Sequence, residues 1–405
     1  MRILISLFRL AIGGSQINAI EIGARLAQAA HEVIVYGPDG VLRERISSLD
    51  LEYVPAGAAR RGHPPTLAGV RSLTALAKRR RVDLIHAYEW APTLEAAYGP
   101  HLRLGVPVLS TIYSVGVPRF VPRNLPMIVG YLNEADLERR RGRRIVHVVM
   151  CPVDTVANAP VADCRSARRR FGFADENLVA VVVSRLARDL KREGILAAIA
   201  AVGQVDAAHN LRLLVVGDGP CRQEVQLSAD RVNARVGHQA VTLTGQLLDP
   251  RDAYAAADIV LGMGTSAQKG MAFGKPVVIQ GERGYWDLLT PATLPTYVRQ
   301  NFYGVGDGSD GAPRLAGILA DLAGQRSRWP ELGAFGRQTA LSAFSNDVAT
   351  EQVIAICEDV AGRREPARRR AAGVITASGW FAGFRAVDLA HRAAARPHRT
   401  AVARG

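Results

Sequence analysis

The sequence predicts an α/β protein made of two doubly wound domains. Three observations carry that expectation. Short apolar runs alternate with segments of helical spacing along most of the chain, as parallel strands covered on both faces by helices require. The alternation stops near Asn158-Ala-Pro and then starts again. At 405 residues and 48% apolar content, the chain exceeds one ordinary core. It suits two domains of roughly 150–200 residues.

In the first half, residues 2–7 (RILISL) read as the first buried strand. Residues 17–30 have helical spacing at Ile17, Ile20, Ile22 and Leu26. Residues 32–36 form a β-branched strand ending at Gly37-Pro-Asp-Gly. Residues 67–80 read as a helix whose basic end suits the helix dipole. Residues 84–86, 106–111 and 145–150 are further strands. In the second half, 162–171 is a basic helix and 178–184 (LVAVVVS) a strand buried on both faces. Residues 195–202 are helical, and 212–216 form a strand running into Gly217-Asp-Gly-Pro. Strands at 241–244, 259–261 and 276–279, with a helix at 252–257, complete the set. The expected domains are 1–160 and 161–345, followed by a crossover helix at 346–364 and a basic appendage at 365–405. In such folds ligands sit outside the carboxyl ends of the strands where strand order reverses. The expected site is therefore the cleft between the two domains.

The net charge of +14 is uneven. From Arg363 onward, ten arginines against Glu365 and Asp388 carry +8, which leaves +6 for all the rest. Such a tail is either solvated or adheres to an anionic surface. An aromatic content of 6% leaves little to stack bases, so a nucleic-acid partner is not expected. The four cysteines, Cys151, Cys164, Cys221 and Cys357, form no CxxC pair and no metal-ligand spacing. They suit a reduced, cytoplasmic setting with thiols used as small hydrophobes, and no metal site is expected. No apolar run approaches the ~18 residues of a membrane span. The opening MRILISLFRLAIGG is broken by Arg9 and reads as a strand, not a leader.

Four constellations at strand ends suit an anionic ligand. Gly13-Gly14-Ser15-Gln16 follows the first strand and opens a helix, where free N–H groups meet a phosphate. In SRLARDLKREG, Arg185 and Lys191 follow the strongest strand of the second half and offer a planar fork and a point charge. In VVGDGP, Gly217 and Gly219 flank Asp218 in a tight strand-to-helix turn. In GMGTSA, Gly262 and Gly264 precede Thr265 and Ser266, either of which suits a helix N-cap.

These motifs in this order, with VHVVMCPVDT at the domain junction, AYAAADIVLG and MAFGKPVV, resemble the retaining glycosyltransferases of family 4. The resemblance implies the GT-B architecture: two Rossmann-like domains facing a cleft, the acceptor on the first and a nucleotide-sugar on the second. It also implies transfer with retention at the anomeric carbon and no metal or other cofactor. Arg185 and Lys191 match the catalytic pair that grips the donor pyrophosphate. Gly14 matches the N-terminal glycine beside the donor phosphates, and Gly264, Thr265 and Ser266 match the phosphate-cupping loop. Gly217 and Gly219 fall within the donor-binding set.

Two departures stand out. Members of the family carry two glutamates eight residues apart in the last loop; here the second position is Lys269 and the first Leu261. A carboxylate accepts hydrogen bonds from ribose hydroxyls, whereas an ammonium only donates. Lys269 then either donates to the donor or reaches solvent, and Glu282 or Asp287, in the loop QGERGYWDLLTP, is the candidate to take over a sugar or ribose contact. On the acceptor side, many members have a histidine where this chain has Tyr113. Gln16, His86, Glu89 and Tyr113 are the acceptor-side candidates, His86 being expected to end a strand facing the cleft. The leading reading is a glycosyltransferase with a nucleotide-sugar donor and a lipid-linked or small-molecule acceptor. The basic tail is the candidate for peripheral membrane contact. The alternative is a non-catalytic sugar-nucleotide-binding or partner protein with a degenerate site.

Overall fold

The computed structural model describes residues 1–57, 65–114 and 116–394. The chain forms two compact units. The first holds residues 1–129, 134–148 and those from 353 onward; the second holds 130–133 and 149–352. The division thus falls at Val148–Val149, short of the expected residue 160, and the segment expected as an appendage joins the first unit.

The first unit is built on a parallel sheet of seven strands: β1 (Arg2–Ser6), β2 (Glu32–Gly37), β3 (Glu52–Pro55), β4 (Leu84–Tyr88), β5 (Val108–Ile112), β6 (Met127–Val129) and β7 (Val146–Val148). Their order is β3-β2-β1-β4-β5-β6-β7. The second unit has six: β8 (Leu178–Val183), β9 (Leu211–Val216), β10 (Val241–Gly245), β11 (Ile259–Gly262), β12 (Val277–Gln280) and β13 (Trp286–Leu288). Their order is β10-β9-β8-β11-β12-β13, parallel except for β13 against β12. Strand order therefore reverses between β1 and β4 in one unit and between β8 and β11 in the other. These are the two places where such sheets bind ligands.

The unbroken apolar run of β8 follows from burial on both faces. Leu178, Ala180 and Val182 join the core under the helix Arg192–His209, while Val179 and Val181 join the core on the opposite face with Tyr254 and Met271. In the first unit, buried Arg143 pins the loop that follows β5. Its Nη1 donates to the carbonyls of Pro122 (2.7 Å) and Leu125 (3.0 Å), and its Nε to Glu138 (3.0 Å).

The crossover helix, Asn346–Gly362, begins in the second unit and ends in the first. A 28-residue helix, Ala367–Ala394, follows it. Its apolar residues include Trp380, Phe381, Phe384, Val387 and Leu389. The structure splits that set. Val374, Ala377 and Phe381 turn into the first unit's core, and the other four stay exposed. The tail residues Arg396, Arg399 and Arg404 lie outside the described residues. All four cysteines are free, three of them buried.

Candidate functional site

In the second unit, the loops after β8 and β11 lie side by side because these strands pair in parallel, Leu261 opposite Val182. The loop after β8 carries exposed Arg185 and half-buried Lys191, the latter just before the helix Arg192–His209. Neither cation has a carboxylate partner among the described residues. Burial, and then the neighbouring Arg185 charge, push the Lys191 ammonium down to about 8. Two uncompensated cations on one loop concentrate positive charge at the carboxyl end of β8.

Gly217 and Gly219 make that loop's position attainable. Gly217 has φ +147°, and a Cβ there would lie 1.8 Å from the Ser184 carbonyl oxygen; Gly219 has φ +154°, and its Cβ would lie 2.7 Å from that of Leu186. The chain runs this close because Ser184 N–H donates to Val216 O and Leu186 N–H to Asp218 O, both at 2.9 Å. The two glycines thus support the Arg185 loop from behind.

The loop after β11 turns at Gly264, φ +54°, which is itself the N-cap of the helix Thr265–Ala272. The expected cap by Thr265 or Ser266 is not formed, because both already lie inside the helix. Ser266 Oγ is instead bonded to the backbone of Met263, at 2.9 Å to its O and 3.1 Å from its N. Gly262 leaves room for that hydroxyl, since a Cβ would sit 2.6 Å from it. Lys269 lies one turn after Thr265 on the same helix face, half-buried. Asp249 is held below the usual carboxylate range by its hydrogen bond from Arg251, and the charge of Lys269 adds in the same direction. The lysine therefore shares its surroundings with an acid that sequence reading did not single out.

Glu282 accepts a short hydrogen bond from the Tyr303 hydroxyl, which burial and this contact push up. Asp287 is likewise bonded to Tyr297 at 2.5 Å. A further acid, Glu193, escaped the sequence reading. Its carboxylate accepts from Arg283 N (3.0 Å) and Gly284 N (2.6 Å), tying the Gly281–Trp286 loop to the helix that starts beside Lys191. Its only sequence signal was an acid in a helix's first turn.

In the first unit, Gly14 is exposed at the start of the helix Gly14–Gln28. The Gln16 side chain folds back over Gly13, whose Cβ would lie 2.4 Å from Oε1. His86 does not end its strand and does not face a cleft. It sits within β4, paired with Ile5 and Leu109, with no exposed surface, and its Nε2 meets Thr111 Oγ1 at 2.7 Å. Burial pushes the imidazole down to about 3, so it stays neutral and sealed off. Sequence reading ended this strand at residue 86, two residues before its end at Tyr88.

Glu89 is the residue that β4 delivers to the loops. It has φ 71° and ψ 167°, a region that residues with a Cβ rarely adopt, at a cost of about 1–3 kcal/mol. Its carboxylate accepts from Tyr113 N (3.2 Å) and the Ser114 hydroxyl (2.6 Å), which anchors the half-buried Tyr113 beside it. A strained acid at a switch point is a better acceptor-side candidate than a buried neutral histidine.

Residues 12–169 match the model for glycosyltransferase family 4, and residues 177–291 the model for glycosyl transferases group 1. Together with the two sheets, these matches show that the chain belongs to the GT-B glycosyltransferases. Solved structures agree on the fold. A glycosyltransferase from Rickettsia africae aligns with a TM-score of 0.70 at 15% identity, over 89% of this chain and 99% of that one. The HepE protein of Anabaena in complex with UDP aligns at 0.71 and 16% identity, over 89% and 100%. WaaG, a glycosyltransferase of lipopolysaccharide biosynthesis, aligns at 0.62 and 14%, over 88% and 99%. No curated protein matches the chain in sequence.

Proposed function

We propose that the protein transfers a sugar from a nucleoside diphosphate sugar to an acceptor hydroxyl, with retention of anomeric configuration and with protein cations in place of a metal. The observation that carries this reading is the pair Arg185 and Lys191, two cations without counter-ions at the switch point of the second unit. As the anomeric C1–O bond to the diphosphate breaks, charge builds on the leaving phosphate oxygen. Fixed cations stabilise that charge more than they stabilise the bound donor, and a single such contact is worth ~3 kcal/mol in a water-excluded site. The acceptor oxygen forms the new bond to C1 on the same face, and its proton passes to the departing phosphate. Such a step needs no protein base. That agrees with a neutral, buried His86 and with a loop from Leu261 to Lys269 that carries no carboxylate. Glu89 is assigned to orienting the acceptor.

The HepE structure was solved with UDP, so UDP-linked sugars are the first donors to test here. Calorimetry with UDP-, GDP-, ADP- and TDP-sugars is expected to single out one donor that binds wild type and binds Arg185→Gln and Lys191→Gln at least ~10-fold more weakly. A wild type that binds none of them, with Lys269→Glu restoring binding, would favour the non-catalytic alternative. Product configuration read by proton NMR tests retention.

A further inference from the structure

The amino-terminal ends of β5, β6 and β7 face away from the loops described above, yet a cavity of about 820 Å³ opens there. Pro107, Pro126 and Ile145, which precede or open these strands, form part of its wall. The remainder comes from the pinned loop after β5 and from the start of the helix Ala367–Ala394. Six arginines line the cavity, and Glu365 is its sole acid. That acid is already engaged by His101 Nε2 (3.1 Å) and Asn124 Nδ2 (2.9 Å), and Arg363 is paired with Asp359 (2.8 Å). Arg123, Arg144, Arg364 and Arg369 have no carboxylate partner among the described residues. Asn124 Oδ1 is buried in the same wall without a hydrogen-bond partner. The loop bearing Arg123 and Asn124 is held in place by the buried Arg143, while the side chains of Arg123, Arg144, Arg364 and Arg369 are exposed.

A second, apolar groove of about 900 Å³ adjoins the cavity and shares Arg119 and Thr376 with it. Trp380, Phe384 and Val387 follow Thr376 along the helix at spacings of four, four and three residues, and so form one stripe. They are 45%, 47% and 56% exposed. The stripe is fixed from beneath by edge-to-face contacts of Phe120 with Trp90 and Phe381, both at 5.2 Å, and the Arg119 guanidinium lies 5.6 Å from the Trp380 ring centre. No helix among the described residues is long and apolar enough to cross a membrane.

A cationic cavity that continues into an open aromatic groove matches one chemistry, that of an amphiphile with an anionic head and an apolar chain. We propose that the first unit docks on anionic bilayers, taking a phospholipid headgroup phosphate among Arg123, Arg144, Arg364 and Arg369 and an acyl chain along the Trp380–Phe384–Val387 stripe. Charge complementarity commits the groove to this occupant: a second copy of this strongly basic chain would bring like charge against like. The cationic cavity lies at the opposite end of the sheet from Glu89 and Gly14, whereas the apolar groove reaches Trp90, the residue after Glu89. The inference does not depend on the proposed sugar transfer.

The test is co-sedimentation of the full chain with vesicles of phosphatidylcholine alone or mixed with phosphatidylglycerol. Binding is expected only to the mixed vesicles and to weaken as salt rises. Each arginine removed is expected to cost roughly fivefold in vesicle affinity, so Arg144→Gln with Arg364→Gln should lose about 25-fold. The charge-matched pair Arg169→Gln with Arg231→Gln, on the second unit, should lose far less. Phe384→Ser should weaken binding with all arginines kept, and all variants should keep wild-type melting temperature. Dihexanoyl phosphatidylglycerol below its micelle concentration should compete, and inorganic phosphate should not. Equal binding to neutral and mixed vesicles overturns the proposal, as does an equal loss from both arginine pairs. Competition by inorganic phosphate alone, or self-association abolished by Phe384→Ser without vesicle binding, overturns it in favour of a free-anion site or a second copy.

Discussion

Binding of a nucleoside diphosphate should draw a proton from solution, and the amount follows from Lys191. Its ammonium sits at about 8 against an ordinary 10.5 because burial and the Arg185 charge both oppose protonation. A diphosphate between the two cations reverses both effects and returns the lysine toward its ordinary value. The 2.5 units regained correspond to on the order of 3 kcal/mol of coupling between proton and ligand. At about pH 9, roughly one tenth of free sites are protonated and nearly all bound sites are, so binding takes up ~0.9 proton; at pH 7 the uptake is only ~0.1. Affinity should fall about tenfold per unit as pH rises from 8 toward 10. The sign for folding is separate. The unfolded chain holds the lysine proton more tightly than the folded one, so ligand-free stability rises with pH between about 8 and 10.5. The assay is calorimetric titration of UDP at pH 7 and 9 in buffers of different ionisation enthalpy. Lys191→Arg should bind with no uptake at either pH, because its charge does not titrate there. Wild-type binding at pH 9 whose heat is independent of buffer would refute the placement of the diphosphate at Lys191.

Three further outcomes follow from the geometry. Gly217→Ala places a methyl 1.8 Å from the Ser184 carbonyl oxygen at φ +147°; it should cost about 2–4 kcal/mol and weaken donor binding, read by urea unfolding and calorimetry. Glu89→Gly should be more stable than Glu89→Ala by about 1–2 kcal/mol, inverting the usual order, because both lose the contacts to Tyr113 and Ser114 but only glycine relieves the strained backbone. Both variants should keep nucleotide affinity and lose turnover. Between pH 6.5 and about 3 the unfolded chain protonates His86 and the folded chain does not, so this residue alone should remove about 1.4 kcal/mol of stability per pH unit on acidification; His86→Met should flatten that part of the profile.

The fold was legible where period and burial agree. β8 reads as a two-sided core strand from LVAVVV alone, and Gly264, Gly217 and Gly219 were visible as turn residues before their φ values were known. The strands that escaped are short or at the margin: β3 (Glu52–Pro55) at one sheet edge, β6 (Met127–Val129), and β13 (Trp286–Leu288), which runs antiparallel. Three or four residues carry too little pattern to be told from loop. In the site, the cations were readable because their residue types and spacing state their chemistry. His86 and Glu89 were not separable, because only the length of β4, which runs on to Tyr88, puts the first inside the sheet and the second at its end. Glu193 and the cavity below β5–β7 were unreadable for another reason. Each depends on contacts between segments distant in the chain, such as Asn124 with Glu365.

The second unit is an insertion in the first. Val374 belongs to the same core as Leu4 and Val108, and Phe381 packs against that of Val117 and Phe120. During synthesis, the first unit therefore waits with its core unsealed while the whole of residues 149–352 emerges and is free to fold. A chain stopped before the helix Ala367–Ala394 holds every residue of the second unit but leaves the first unit's core without Val374 and Phe381.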